Sequence, residues 1–333
     1  YNFLARMPTI HDSHNTRVAY LSSLREISIV DCVGESRVTT LPVSIEPSFV
    51  SLGPFHVAVG MNNRVWYYRC DGASRDLVNE REYLSTVDSV KLNHGFAAVM
   101  CEGRVHVHQI EGGQGNGAGG GETMIFPERE GGGRVTCCVL TAEFLIYGTE
   151  EGAVEFFYLT DWTPLSSCQY THECGVVGLF PNPAGTRLIF LDDAGRGFLY
   201  NPVNGLLLPV PKLADGTRHV MWDSADWGVF VTSNAKEFST YIHSPLTIHG
   251  PQIVQLGALD IRQNGDMIME PRPTRLPHGH SPVVVYNGIV SCQVQNGTLA
   301  TVALKTHDQL HNAGGRMSAD RLRASFAQNL ALL

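Results

Sequence analysis

His56-Val57-Ala58-Val59-Gly60-Met61-Asn62-Asn63-Arg64-Val65-Trp66-Tyr67-Tyr68 reads as two apolar strands folded back on each other across Asn62-Asn63. Valine, tyrosine and tryptophan fit a pleated, half-buried surface, and a short polar turn between two such runs marks a hairpin. The same unit recurs in both directions along the chain. Residues 17–21 face 27–30, and 96–100 face 105–108 across Glu102-Gly103. Residues 144–148 pair with 154–158, 188–191 with 197–200, and 228–231 with 238–242. The last hairpin joins 290–294 to 299–303 across Asn296-Gly297.

The turn centres fall near residues 24, 62, 102, 151, 195, 234 and 297, leaving gaps of 38, 40, 49, 44, 39 and 63. A period of roughly 40 to 45 residues is that of four-stranded propeller blades. Seven hairpins predict an all-β, seven-bladed WD-repeat-like β-propeller. The glycine-rich insertion at residues 112–121 lengthens the third gap. The proline-bearing stretch at 257–277, which shows no strand period, lengthens the sixth. A propeller must close its ring, because an unpaired sheet edge invites aggregation. Tyr1 to Ala5 is apolar and has no hairpin partner beside it, so it is expected to complete the last blade. The WD dipeptides themselves are eroded. Ile27-Ser28-Ile29-Val30-Asp31 keeps the strand-end aspartate without the tryptophan, and Trp222-Asp223 precedes its hairpin and is out of register.

After Gly314-Gly315 the period changes. Ser318 can cap a helix, and Leu322, Phe326, Leu330 and Leu333 recur on one helical face. The expected organisation is a propeller over 1–306 closed by the N-terminal strand, a linker over 307–317, and over 318–333 the first helix of a truncated α-solenoid. A chain that opens on Tyr1 is expected to be cut from something longer.

Composition narrows the function. Hydrophobic residues make up 43% and charged residues 17%, enough for a large core. A formal charge of −8 supplies no basic stripe for nucleic acid. No apolar run reaches the roughly 18 residues of a membrane span, so no direct membrane insertion is expected. The eight cysteines are expected to be reduced thiols, mostly buried.

Signals of chemistry are thin. Residues 115–120 formally spell G-x-G-x-x-G, but phosphate cradling needs such glycines between a strand and a helix, so a surface loop is expected. Cys168, His172 and Cys174 lack the paired spacing of a zinc site. His106 and His108 share a strand face, where histidine more often satisfies a backbone group or faces the channel. Asp192-Asp193 occupies a hairpin turn, and no nucleophile elbow occurs. No catalytic residue, cofactor or metal is therefore expected. Methionine, arginine and aromatic residues are enriched at protein interfaces, which leaves Trp162, Arg262, Met267, Met269 and Arg272 as candidate partner-binding residues.

Longer phrases add a resemblance. Thr171-His172-Glu173-Cys174-Gly175-Val176, Phe180-Pro181-Asn182-Pro183-Ala184-Gly185-Thr186-Arg187, Gly197-Phe198-Leu199-Tyr200 and Val59-Gly60-Met61-Asn62-Asn63-Arg64 resemble the second propeller of the intraflagellar transport protein 144 family. These are WD-repeat subunits of transport complex A with two propellers and a long tetratricopeptide-like tail. Ala327-Gln328-Asn329-Leu330 is similar to the start of that tail. The resemblance implies a non-catalytic scaffold that supports retrograde ciliary transport, cilium assembly and delivery of membrane proteins into cilia. Implied partners are other complex A subunits, neighbouring train subunits and, indirectly, dynein and membrane-protein cargo. The implied location is the cilium or flagellum, the ciliary base and the cytoplasm. A vesicle-coat propeller and an enzyme with a channel site stand as alternatives.

Overall fold

The computed structural model describes residues 7–34, 38–71, 75–111, 123–128, 132–225, 228–261 and 267–307. Six of the seven sequence hairpins are the middle pair of a blade, and the seventh is the outer pair of the three strands described in the last blade. Blade 1 holds four antiparallel strands, His11–His14, Arg17–Ser23, Glu26–Asp31 and Thr39–Pro42, named a to d from the axis outward. Blades 2 to 7 repeat this order over residues 49–82, 87–126, 135–171, 176–209, 219–255 and 280–303. In blade 4 two short segments, Thr163–Pro164 and Tyr170–Thr171, share the outer edge of strand c. Blade 7 contributes His280–Tyr286, Ile289–Val294 and Leu299–Ala303, three strands among the described residues.

The middle strands carry the sequence signal because the first of each pair is buried on both faces and the second alternates buried with more exposed positions. Arg17–Ser23 and His56–Met61 are buried along almost their whole length. Each blade then packs on the next through an apolar cluster. Leu21, Ile27, Val57 and Val59 fill the space between blades 1 and 2, and Phe190 and Tyr200 the space between 4 and 5. Phe230 and Tyr241 stack at 5.2 Å between 5 and 6. Burying one such side chain is worth about 1.5–3 kcal/mol.

Ring closure is visible in the inner strands. Each lies beside the inner strand of the next blade, and His280–Tyr286 lies beside His11–His14. Val18, Tyr20, Val283 and Val284 form the apolar part of that seam. His11 Nε2 meets Ser281 Oγ at 2.8 Å, Ser13 Oγ donates to Val283 O, and Gln293 Nε2 donates to Leu21 O. Met7 donates its N–H to Gln295 O at 2.9 Å. Tyr1 to Ala5, the insertion at 112–121 and the helix expected from Ser318 lie outside the described residues.

One expectation is corrected. The stretch 257–277 was read as free of strand period, yet Gly257–Ile261 and Met267–Pro271 form an antiparallel two-stranded ribbon. Thr274–Arg275 then pairs with strand c of blade 6. The physical reason is that Pro271 and Pro273 fall at and beyond the end of the second strand, where a missing N–H costs no ladder bond. Among the described residues no helix is long and apolar enough to cross a membrane.

Candidate interaction surfaces at the channel mouths

Strand direction sorts the turns. Turns between strands a and b and between c and d open on one face of the disc, here the ab face. Turns between b and c, and connections from d to the next a, open on the other, the bc face.

On the ab face the turns are fixed by short polar side chains. Asn93 Oδ1 accepts the N–H groups of Gly95 and Phe96, while its Nδ2 reaches Thr141 O and Ala142 O of the next blade. Asn182 Oδ1 accepts Arg187 N, and Trp222 Nε1 donates to Phe180 O at 3.0 Å. Asp223 does the most. Its Oδ1 accepts Ala225 N and Asn287 N, both at 2.8 Å, and its Oδ2 accepts Gly288 N at 3.1 Å. Asn287 and Gly288 both have positive φ, the backbone of a tight two-residue turn. One buried carboxylate thus locks the blade 6 turn to the blade 7 turn.

These turns surround a cavity of about 830 Å³ at the channel mouth. Its wall is mixed: Pro54, Phe55, Phe144, Phe180, Pro181 and Pro183 alternate with polar side chains such as His14, Asn93, His94, Thr141 and Asn182, and Glu143 is the carboxylate among its lining residues. A second cavity of about 270 Å³ shares Phe55 and His94 and runs outward to His56, Arg69, Asp71 and Glu111. Arg69 Nε donates to Glu111 Oε1 at 3.0 Å, its Nη2 also reaches Glu111, and His56 Nε2 contacts the same carboxylate. The Arg69 hydrogen bond first, then that of His56, holds the Glu111 carboxyl below its usual range. Burial pushes His14 down.

Deeper in the channel, Asp12 joins three blades. Its Oδ2 accepts Ser51 Oγ at 3.1 Å and Leu52 N at 3.0 Å, and Lys91 Nζ meets Oδ1 at 3.3 Å. The Asp12 charge raises the Lys91 pKa. Burial takes His11 down to about 4 against the opposing pull of Asp12.

The bc face is built on charge. His172 Nε2 and Asp192 Oδ2 lie 3.1 Å apart, both nearly inaccessible, and Arg196 donates to Asp192 through its N–H and through Nε. Burial raises the Asp192 pKa, but the N–H of Arg196, His172 and the Arg196 guanidinium together overcome it, leaving the carboxyl below its ordinary value. Arg196 also pairs with Glu173 and donates to Cys174 Sγ. Gly152, at φ +88°, sits where a Cβ would come within 2.3 Å of His172 O, so only glycine fits beneath this network. Arg64–Glu82 and Arg25–Glu46 pairs continue the charged surface.

Exposed apolar side chains follow the opposite distribution. Val33 and Val38 of blade 1, Phe55 and Leu77 of blade 2, Val203 of blade 5, Leu246 and Ile248 of blade 6 and Ile289 of blade 7 all lie at the ab face. Val203, Leu246 and Ile248 are 84%, 91% and 85% exposed. Only Leu24 and Leu84 of that exposed group lie in the turns and connections of the bc face.

The candidate residues from sequence are scattered. Trp162 is half-buried, its ring edge-on to Phe96 at 5.4 Å and beside Phe157, so most of its surface belongs to the core between blades 3 and 4. Met267 and Met269 lie on the second strand of the ribbon, opposite Ile261 and Leu259, and Arg272 is exposed just beyond it. Arg262 lies outside the described residues. His108 is buried, with Nδ1 on Gln109 O and Nε2 near the Tyr83 hydroxyl. Phe55, Glu143 and Asp71 carried no sequence signal; they stand out only once the turns are assigned to faces.

Comparison with known proteins follows the same extent. The family model described as WDR19 second beta-propeller matches residues 18–307. The chain belongs to this family. Among relatives of the WDR19 propeller, human WD repeat-containing protein 19 is 36% identical over 332 residues, which is 99% of this chain and 23% of that protein. The Caenorhabditis elegans WD repeat-containing protein dyf-2 is 27% identical over 92% of this chain and 22% of its own length. The chain therefore spans less than a quarter of the relatives it matches. Among solved structures, the Cps50 (Swd1) β-propeller domain of Myceliophteria thermophila aligns with TM-score 0.60 at 13% identity, covering 91% of this chain and 99% of that domain. A chain of a mitotic checkpoint complex aligns at TM-score 0.59 and 14% identity, covering 89% of each chain. These two likenesses speak to the fold alone.

Proposed function

We propose that this propeller is a non-catalytic scaffold module of a complex A subunit in ciliary transport. In that role it supports retrograde movement, cilium assembly and delivery of membrane proteins into cilia through protein contacts. The observation that carries the reading is the WDR19 second-propeller match over residues 18–307. The geometry agrees in kind. The turns at the larger mouth are tied by side-chain-to-backbone hydrogen bonds, and its cavity sets aromatic and proline side chains beside polar ones with one lining carboxylate, Glu143, a mixed surface that suits a protein segment. Its partners in this reading are the other complex A subunits and neighbouring train subunits, with dynein and membrane cargo reached through them. The locations are the cilium, the ciliary base and the cytoplasm.

The test is capture by the full-length protein in ciliated cells, with and without this propeller. Co-purification of complex A subunits, reduced when the propeller is deleted, together with accumulation of transport particles at ciliary tips, is the expected result. A full-length protein that captures no complex A subunit and marks Golgi or endosomal membranes instead would favour the vesicle-coat reading.

A further inference from the structure

We propose that the ab face is a peptide-docking surface. Its occupant is an extended segment of a partner protein with a bulky apolar side chain and, two to four residues away, a lysine or arginine. This rests on the propeller being a binding scaffold, but not on the ciliary assignment.

Three observations converge. The cavity of about 830 Å³ is of the size that takes a large side chain with its flanking backbone: Phe55, Phe144, Phe180 and prolines offer apolar contact, and Asn93, Thr141 and Asn182 beside them offer polar groups to a peptide backbone. The wall is also pre-formed. Asn93, Asn182 and Asp223 fix the turns through backbone hydrogen bonds, so little ordering cost falls on the protein when a ligand arrives.

Charge then selects the occupant. The two adjoining cavities present Glu143, Asp71 and Glu111 against one lining guanidinium, Arg69, which Glu111 already engages; a second, Arg17, is held behind the rim by Pro54 O and Cys70 O, which leaves the lining acidic by a single charge. Such a lining attracts a basic side chain and repels nucleic acid and anionic lipid headgroups. It also disfavours a second copy of the same face, which would set carboxylates against carboxylates. The small cavity adjoins the large one through Phe55 and His94, so one extended chain reaches both within a few residues at about 3.3 Å each.

The experiment uses full-length protein and a positional-scanning library of fluorescent decapeptides, with Phe, Leu or Ala fixed at position four and Lys, Arg or Glu at positions six to eight. Peptides with Phe or Leu and a basic residue are expected to bind at least tenfold tighter than those with Ala or Glu. Phe55→Ser should weaken binding at least fivefold. Glu143→Lys should reverse the preference between Arg and Glu peptides. Leu84→Ser, on the bc face, should leave binding unchanged, and the melting temperature of each variant reports whether the fold is intact. A library without preference, an equal loss in Leu84→Ser, or binding only to phosphatidylserine vesicles overturns the proposal. Selective peptide binding without capture of complex A subunits leaves this surface standing and removes the ciliary reading; capture without peptide preference does the reverse.

Discussion

The two faces of the disc are made from the same kind of turn, yet they hold together by different means. On the bc face, Asp192, His172, Arg196 and Glu173 form a network that begins in a buried pair and ends in solvent. On the ab face, buried Asp223 gives its oxygens to backbone N–H groups, the Arg69–Glu111–His56 cluster is confined to blades 2 and 3, and Phe55, Val203, Leu246 and Ile248 are exposed. The ab face ties its turns chiefly through side-chain-to-backbone hydrogen bonds and carries most of the exposed apolar side chains, spread over several blades, whereas the bc face ties its turns through ion pairs.

That contrast can be broken most severely at Asp223. Asp223→Ala removes the acceptor of three backbone N–H groups from two blades; Gly288 is buried, while Ala225 and Asn287 are exposed and their N–H groups can turn to water, and an unsatisfied buried group costs about 1–3 kcal/mol. A loss of about 3 kcal/mol in urea unfolding is expected, with the seam of blades 6 and 7 exchanging amide hydrogen fastest. A loss no larger than that of a surface variant would mean water replaces the carboxylate. Asp192→Ala on the bc face should cost less, about 2 kcal/mol, since Arg196 can turn to solvent and to Glu173. If it costs more than Asp223→Ala, the ranking of the faces is wrong.

Acid should separate the faces further. His243 is buried on the ab side with both ring nitrogens unpartnered, and burial takes it down to about 4. The unfolded chain takes up this proton near pH 6.5 and the folded chain only near 4, so stability is full above 6.5 and falls as pH drops through that window. His243→Leu should recover about 1–2 kcal/mol of the loss between pH 7 and pH 5. An identical pH dependence in the variant would show that other groups carry the effect. The smallest effect is expected from Arg64→Ala, an exposed pair with Glu82, which should leave the urea midpoint unchanged.

The fold was legible where burial writes a pattern. Strands b are covered on both sides, so Val57 to Gly60 and Leu188 to Leu191 read as apolar runs. Strands a and d were not legible, for two different reasons. Inner strands line the channel and carry Asp12, Ser51 and Lys91. Outer strands such as Leu77–Glu82 are half-exposed and charged. The ribbon at 257–271 was missed although Asn264-Gly265, a strong hairpin dipeptide, stands between its strands. The His172–Asp192 pair could not be read at all, since a separation of twenty residues becomes a contact only when blades 4 and 5 are packed. The apolar face was legible in principle, because strand parity alone assigns each turn to a side.

The seam between blades 7 and 1 differs from the others. Every other pair of neighbouring blades is joined by the chain itself, whereas this pair is joined, among the described residues, by side-chain and main-chain contacts such as His11–Ser281, Gln293–Leu21 and Met7–Gln295. Among the described residues these contacts act as the clasp of the ring, and they tie blade 1 to blade 7 without any strand ladder crossing the seam.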